Sequence, residues 1–252
     1  MDAVSERQIA GDGTAERDWR AWLRAQPLPE VQAGQLVRPL QRAVVVAPHP
    51  DDEVLMVGGL LAQLAHLARR AVVVAVTDGE ASHAGSRRWT PAALARQRKD
   101  ETDAALRALG LHASVLRLGL ADGGVAAQAG RLARRLQALL TPDDVVFTTW
   151  MFDGHPDHEA CARATRAAAA VRGARLYEVP VWGWHWAPVG AVQMPWDRGR
   201  LLALPADALA RKRAAVRAFA SQWQRDPDCP HTPVLRPSTL ERVERPFEVL
   251  FA

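Results

Sequence analysis

The chain predicts an α/β protein: a Rossmann-like three-layer sandwich with a mostly parallel sheet and a small C-terminal cap. Three observations carry this. Short β-branched runs recur at 44–47, 71–77 and 144–149 without polar alternation, as in strands buried on both faces. Each run leads into a segment of helical periodicity, and strands separated by helices build parallel sheets with right-handed crossovers. At 252 residues and 48% hydrophobic content, the chain is long and apolar enough for a full core.

Residues 1–40 read as a polar lead-in packed on the body. Within it, Glu16 to Ala25 carries Trp19, Trp22 and Leu23 at helical spacing, and Pro27 and Pro29 end the helix. Residues 41–252 form one domain. Strand 44–47 precedes a helix from about Val54 to Arg70, whose apolar stripe is Val57, Leu60, Leu61, Leu64 and Leu67. Strand 71–77 follows, then a loop to Thr90, then a helix that starts on Pro91 and closes near Leu109 before Gly110. A strand at 114–118, a loop at 119–124 and a helix at about 128–140 come next. Strand 144–149, a helix at about 158–171 and a strand at 175–179 complete the regular pattern. From about residue 180 the chain becomes a tryptophan-rich cap with one more helix, about 205–222, and a Pro-rich tail.

Composition narrows the function. The formal charge is +4, from 32 basic and 28 acidic residues, but the arginines are dispersed among acids. No basic run carries interleaved aromatics, so nucleic acid is not an expected partner. Cys161 and Cys229 make neither a disulfide framework nor a zinc knuckle, and Cys161 in its alanine-rich helix reads as a small buried thiol. The start of the chain has acids and no apolar h-region, and no run approaches a membrane span. A cytoplasmic location is the expectation, with oligomeric state left open.

The chemistry lies in two loops. Val44–Ala47 runs into Pro48-His49-Pro50-Asp51-Asp52-Glu53, and Asp144–Thr149 runs into Asp153-Gly154-His155-Pro156-Asp157-His158-Glu159. In open α/β sheets ligands bind beyond the carboxyl ends of strands. His49 and Asp52 are three apart across a strand-to-helix turn, so both can face one locus. His155 and His158 are also three apart, and the spacing leaves open which supplies a third ligand. A His-Asp-His set with an open position suits Lewis-acid hydrolysis. Asp51 is then free to take a proton from the attacking water. The remaining histidine, paired with Asp157, can stay cationic and stabilise an oxyanion. An Asp-Asp pair can also be turn and capping chemistry alone, as Pro142-Asp143-Asp144 reads, because no His precedes it. His66 and His112 have no partner motif and read as surface residues. Acids occupy the place of a G-x-G-x-x-G phosphate cradle, which disfavours dinucleotide binding.

These two loops resemble the motifs of the N-acetylglucosaminyl deacetylases known as PIG-L or LmbE-like proteins. The first motif stands as Pro48 to Glu53 and the second as His155-Pro156-Asp157-His158. Weaker family-like words are Thr77-Asp78-Gly79-Glu80, Arg98 to Glu101, Asp122-Gly123-Gly124, Lys212-Arg213 and Ser221-Gln222, so the resemblance spans about Arg42 to Gln222. It implies zinc, or another divalent metal, on His49, Asp52 and His158. It further implies Asp51 as general base, His155 as electrostatic partner of the tetrahedral intermediate with Asp157 orienting it, and substrate contacts from Arg98 and Asp122. The alternatives for those last two are an intrahelical Arg98–Glu101 ion pair and an Asp122-Gly123 turn.

In the cap, Trp182, Trp184 and Trp186 at period two would share one face of an extended chain. A hydrophobic face covering the core is preferred over sugar stacking, and His185 on the other face is a candidate to approach the metal site. The expected function is removal of an N-acyl group, most simply N-acetyl, from an amino sugar or glycoconjugate. The alternatives are an amidase on a non-sugar N-acyl compound, such as a thiol conjugate or antibiotic precursor, and a non-catalytic glycan- or metal-binding module.

Overall fold

Val44, Val45 and Val46 lie in the middle strand of five parallel strands, in a computed structural model that describes residues 7–230 and 232–252. In chain order the elements are α1 (Glu16–Ala25), β1 (Glu30–Val31), α2 (Ala33–Leu36), β2 (Arg42–Ala47), α3 (Asp52–His66) and β3 (Arg70–Thr77). Next come α4 (Pro91–Ala108), β4 (Ser114–Leu120), α5 (Ala129–Leu139), β5 (Asp144–Thr149), α6 (Pro156–Arg172) and β6 (Arg175–Val179). The cap holds α7 (Gly183–Trp186), β7 (Gly199–Ala203), α8 (Ala206–Ala218), α9 (Ala220–Trp223), α10 (Pro237–Val243) and β8 (Phe247–Phe251).

One eight-stranded sheet runs in the order β1-β7-β8-β6-β5-β2-β3-β4. From β2 the chain steps outward through β3 and β4, then returns to the other side of β2 for β5 and β6. The order therefore reverses between β2 and β5, which pair in parallel from Arg42 with Asp144 to Val46 with Thr148. Side chains alternate between two cores, as a pleat requires. Val45, Val73, Val145 and Phe147 face α3, α4 and α8, while Val44, Val46, Val74 and Val146 face α5 and α6. Both faces are covered, hence the valine runs without alternation.

The parallel half follows the expected elements, with α3 starting two residues early at Asp52 and ending at His66, since Arg70 already pairs with Arg42. Asp144 behaves as turn chemistry, accepting from Thr141 N at 2.8 Å, and also ion-pairs with Arg42 at 2.7 Å. His66 and His112 are exposed, and Cys161 is buried.

The C-terminal part departs from expectation. The Pro-rich tail contains α10 and then β8, which inserts between β6 and β7 and is antiparallel to both. Phe247-Glu248-Val249-Leu250-Phe251 is a five-residue run, apolar except for Glu248, too short to stand out beside the prolines. The last expected helix is two, broken at Phe219, whose ψ of 54° is not helical. The tryptophan segment is a helical turn, not an extended chain, so its rings diverge. Trp184 is buried against Trp19 with centroids 4.9 Å apart, Trp186 stacks on Trp150, and Trp182 is half-buried. Trp19 on α1 is fully buried and donates from Nε1 to Trp184 O at 2.8 Å, which docks the N-terminal helix on the cap. Among the described residues, no helix is long and apolar enough to cross a membrane.

Candidate active site

The loops that follow β2 and β5 meet where the strand order reverses, the place where open α/β sheets bind ligands. His49 leaves the end of β2, Asp52 begins α3, and His158 sits on the first turn of α6. The three donor atoms form an equilateral triangle. His49 Nδ1 to Asp52 Oδ2, His158 Nε2 to Asp52 Oδ2, and His158 Nε2 to His49 Nδ1 are each 3.3 Å. Ligands about 2.0–2.1 Å from a tetrahedral zinc lie about 3.3–3.4 Å from one another, so these residues fit such an ion.

The outer face of each imidazole is anchored so that its lone pair points into the triangle. His49 Nε2 faces Asp122 Oδ1 at 3.1 Å and Asp157 Oδ2 at 3.3 Å, which places its proton there and frees Nδ1. His158 Nδ1 donates to Asp153 Oδ2 at 2.7 Å, which frees Nε2. Asp153 has no exposed surface, and its carboxylate is itself gripped by the amides of Val181, Trp182 and Gly183 at 2.8–3.1 Å. Sequence reasoning gave Asp153 no role, although it stands in the second loop. The only available signal was an acid between the strand and the His-Pro-Asp-His word.

Without a metal, the same carboxylates favour protons on the two imidazoles in its place. Burial opposes charge on His158, yet Asp52 and Asp153 outweigh it and raise the imidazole to about 9. Asp52 shows the reverse balance, burial being overcome by the two histidines, which hold it well below the usual carboxylate range. Asp122 is likewise held down to about 2, because His49 and the Ala81 amide outweigh its burial.

Asp51 occupies a backbone conformation that non-glycine residues seldom adopt, with φ 116°. The turn projects its carboxylate into the cleft beside the triangle, where burial raises it to about 7 despite the opposing Arg98 charge. Arg98, 2% exposed, donates to Asp51 Oδ2 at 3.2 Å, to Gly79 O at 3.1 Å and to Pro50 O. The expected alternative, an ion pair with Glu101, is not made. Glu101 instead accepts from Ser221 N and Oγ at 2.9 and 2.7 Å, tying α4 to α9. The Thr77–Glu80 word acquires a purpose as well. Gly79 has φ +68°, and a Cβ there would collide with the Arg98 guanidinium. Glu80 accepts from Asp122 N at 2.9 Å, which locks two loops together.

His155 caps α6, and its Nδ1 accepts from Asp157 N at 3.2 Å. A ring that accepts there cannot be an imidazolium, so His155 is a neutral Nε2–H donor. Burial and the neighbouring His158 and His49 charges agree, holding it down to about 3. The cationic form that the sequence allowed is disfavoured in the metal-free protein. Asp157 also differs from expectation: its carboxylate accepts from Gly123 N at 2.7 Å and Val125 N at 3.1 Å and faces His49. Its hydrogen bond to His155 comes from the main-chain amide.

A cleft of about 420 Å³ opens on these groups, with His49, Asp51, Asp52, Arg98, Asp122, His155 and His158 on its floor. Asp122 joins the floor through His49 and Ala81, not as an isolated turn. The opposite wall is apolar and comes from Ile9, Leu55, Trp182, Val234 and Leu235, with Arg236 beside them. Ile9, Val234, Leu235 and Arg236 lie outside the span of the motif words. His185 points away, with Nε2 3.0 Å from Ala10 O, and does not approach the site.

A doubly wound sheet with a histidine–carboxylate site able to hold a metal at its switch point, beside a buried carboxylate, is an arrangement suited to hydrolytic chemistry. The chain belongs to the PIG-L family: the family model, described as GlcNAc-PI de-N-acetylase, matches residues 44–169, and the activity class is that of an N-deacetylase. Among solved structures it is similar to a conserved protein from Thermus thermophilus, at 29% identity over 81% of this chain and 85% of that one, TM-score 0.59. It is also similar in fold to the A40926 pseudoaglycone deacetylase Dbv21 (24% identity, 84% and 96% covered, TM-score 0.61). The N,N'-diacetylchitobiose deacetylase from Pyrococcus horikoshii is a further fold relative (18% identity, 74% and 72% covered, TM-score 0.55). No curated protein matches the sequence.

Proposed function

We propose that this protein removes the N-acetyl group of an amino sugar or glycoconjugate, with His49, Asp52 and His158 holding zinc or another divalent ion. The observation that carries this reading is the 3.3 Å triangle of donor atoms with Asp51 beside it. When bound, such an ion supplies Lewis acidity toward the acyl oxygen and acidifies water. The rest falls to the chain. Asp51, kept from the usual carboxylate range by burial, accepts a proton from the attacking water and returns it to the departing amine. Arg98 holds Asp51 in place. The Nε2–H of neutral His155 donates to the developing oxyanion. Asp153, Asp122 and Asp157 keep both ligand imidazoles in the right tautomer.

Two measurements test the assignment. Acetate release from N-acetylglucosamine conjugates should vanish with chelator and return with one equivalent of zinc. Asp51→Ala should keep its metal while kcat drops by about 10²–10⁴. Full activity in that variant would remove Asp51 from the mechanism.

The apolar wall of Ile9, Leu55, Trp182, Val234 and Leu235 favours a second reading, an amide whose amine or acyl part is apolar, such as an antibiotic precursor. A panel of N-acyl compounds separates the two. Turnover that persists without a sugar supports the second.

A further inference from the structure

His49-Pro50-Asp51-Asp52 is a tight turn closed by Asp52 N, which donates to His49 O at 3.2 Å. Asp51, its third residue, has φ 116° and ψ −30°. A positive φ at that place marks a type II turn, whose third residue is normally glycine or asparagine. Turning the peptide plane between Pro50 and Asp51 over by half a revolution would give the type I form. Asp51 would then take an ordinary negative φ and, with its present ψ, extend α3 by one residue. The strained form needs something that holds this one plane.

Both edges of the plane are gripped. Its carbonyl, Pro50 O, accepts from Arg98 Nη2, the same nitrogen that donates to Asp51 Oδ2 at 3.2 Å. Its N–H, on Asp51, donates to Glu53 Oε2 at 3.0 Å. In the turned-over form Arg98 would lose that carbonyl and, with it, part of its hold beside Asp51. Glu53 lies on the first turn of α3, is 1% exposed, and has its other oxygen, Oε1, buried without a hydrogen-bond partner. A buried carboxyl group so poorly satisfied is costly and calls for a reason. The cleft lining does not include Glu53, so any part it plays in the reaction is indirect.

We propose that Glu53 is a positioning residue: by accepting the Asp51 N–H it locks the 50–51 peptide in the strained orientation that keeps Arg98 on the Asp51 carboxylate. Its role rests on Asp51 being the proton acceptor, as proposed above. An acid in the first turn of a helix can also serve through its charge alone. That role needs no acceptor at this spot, and substitution separates the two.

The metal-loaded full chain carries the test, with kcat, KM, bound metal and a crystal structure read for each variant. Glu53→Leu keeps the bulk and removes the acceptor. Its kcat should fall by about 10²-fold, with KM and bound metal near wild type and Asp51 at negative φ. Glu53→Gln removes the charge and keeps an acceptor oxygen. Its kcat should stay within about threefold of wild type, with φ still positive. Wild-type kcat in Glu53→Leu overturns the proposal. So do an equal loss in both variants, which assigns the effect to charge, and a loss of bound metal that accounts for the fall. Should Glu53→Leu fail to fold, amide hydrogen exchange decides. An Asp51 N–H protected in both wild type and Glu53→Gln supports the lock, and free exchange in either overturns it. Asp51→Ala keeps the two readings apart: full activity there removes the base itself, whereas an inactive Asp51→Ala beside an active Glu53→Leu removes Glu53 alone.

Discussion

Asp153 shows how a residue outside the donor triangle can orient one of its members. Its carboxylate sets the His158 tautomer and is held by three amides of a segment more than 25 residues away. Asp153→Asn should lower metal affinity by about 10–100-fold while the fold persists, measured by competition with a chromogenic chelator. Protons enter the same equilibrium. His158 is raised to about 9 in the metal-free protein, so at pH 7 it carries a proton that an incoming metal must displace. Metal uptake at pH 7 should therefore release at least one proton. Apparent affinity should fall about tenfold per pH unit for each proton released, and level off above about pH 9. Calorimetry in buffers of different ionisation enthalpy reads both. The two words that meet in the cleft, Pro48 to Glu53 and His155 to His158, were legible because each is short and contiguous. The charge state of His155 was not, because it depends on an N-cap bond visible only once α6 begins at Pro156.

At the scale of elements, α3 is the informative case. Its apolar stripe reads as one helix, yet Val57 departs from helical geometry (φ −137°, ψ 26°). The break exposes the amides of Gly59 and Leu60, and Glu248 of β8 accepts both while pairing with Lys212 of α8. Three elements distant in sequence thus share one buried carboxylate. Glu248→Ala would strand the Lys212 charge and two amides, and should cost about 3–5 kcal/mol in a urea titration. Gly79→Ala tests the loop after β3. The added methyl needs an unfavourable φ and displaces Arg98, so kcat should fall by tenfold or more while metal content stays near one equivalent. Strands β2 to β6 were legible because their valine runs and intervening helices are local patterns. Strand β8 was not, since its pairing with β6 and β7 is antiparallel and long-range.

Across the whole molecule, the two ends of the chain complete what the central sheet begins. Trp19 of α1, fully buried, packs with Trp184, Trp196 and Trp22, and Glu16 pairs with Arg245. Trp19→Ala should cost about 3–5 kcal/mol and lower the thermal midpoint, because the cavity left behind opens the seam between lead-in and cap. The same docking brings Ile9 to the cleft wall that Val234 and Leu235 also line. Substrate preference should follow that wall more than the metal floor. Leu235→Ala is expected to change the ranking among N-acyl compounds by several-fold in kcat/KM.

By itself the sequence determined the parallel sheet and the two histidine–carboxylate loops at its switch point, while the choice between His155 and His158 came only with the family resemblance. These are local: a strand of valines, a His three residues before an Asp, a His three residues before another His. Only the tertiary structure decided that Asp153 and Asp122 aim the imidazoles and that the tail supplies a strand between β6 and β7. It also decided that the cleft wall comes from both ends of the chain. Each of those depends on contacts between residues far apart in sequence, formed by burial and hydrogen-bond satisfaction that no short word encodes.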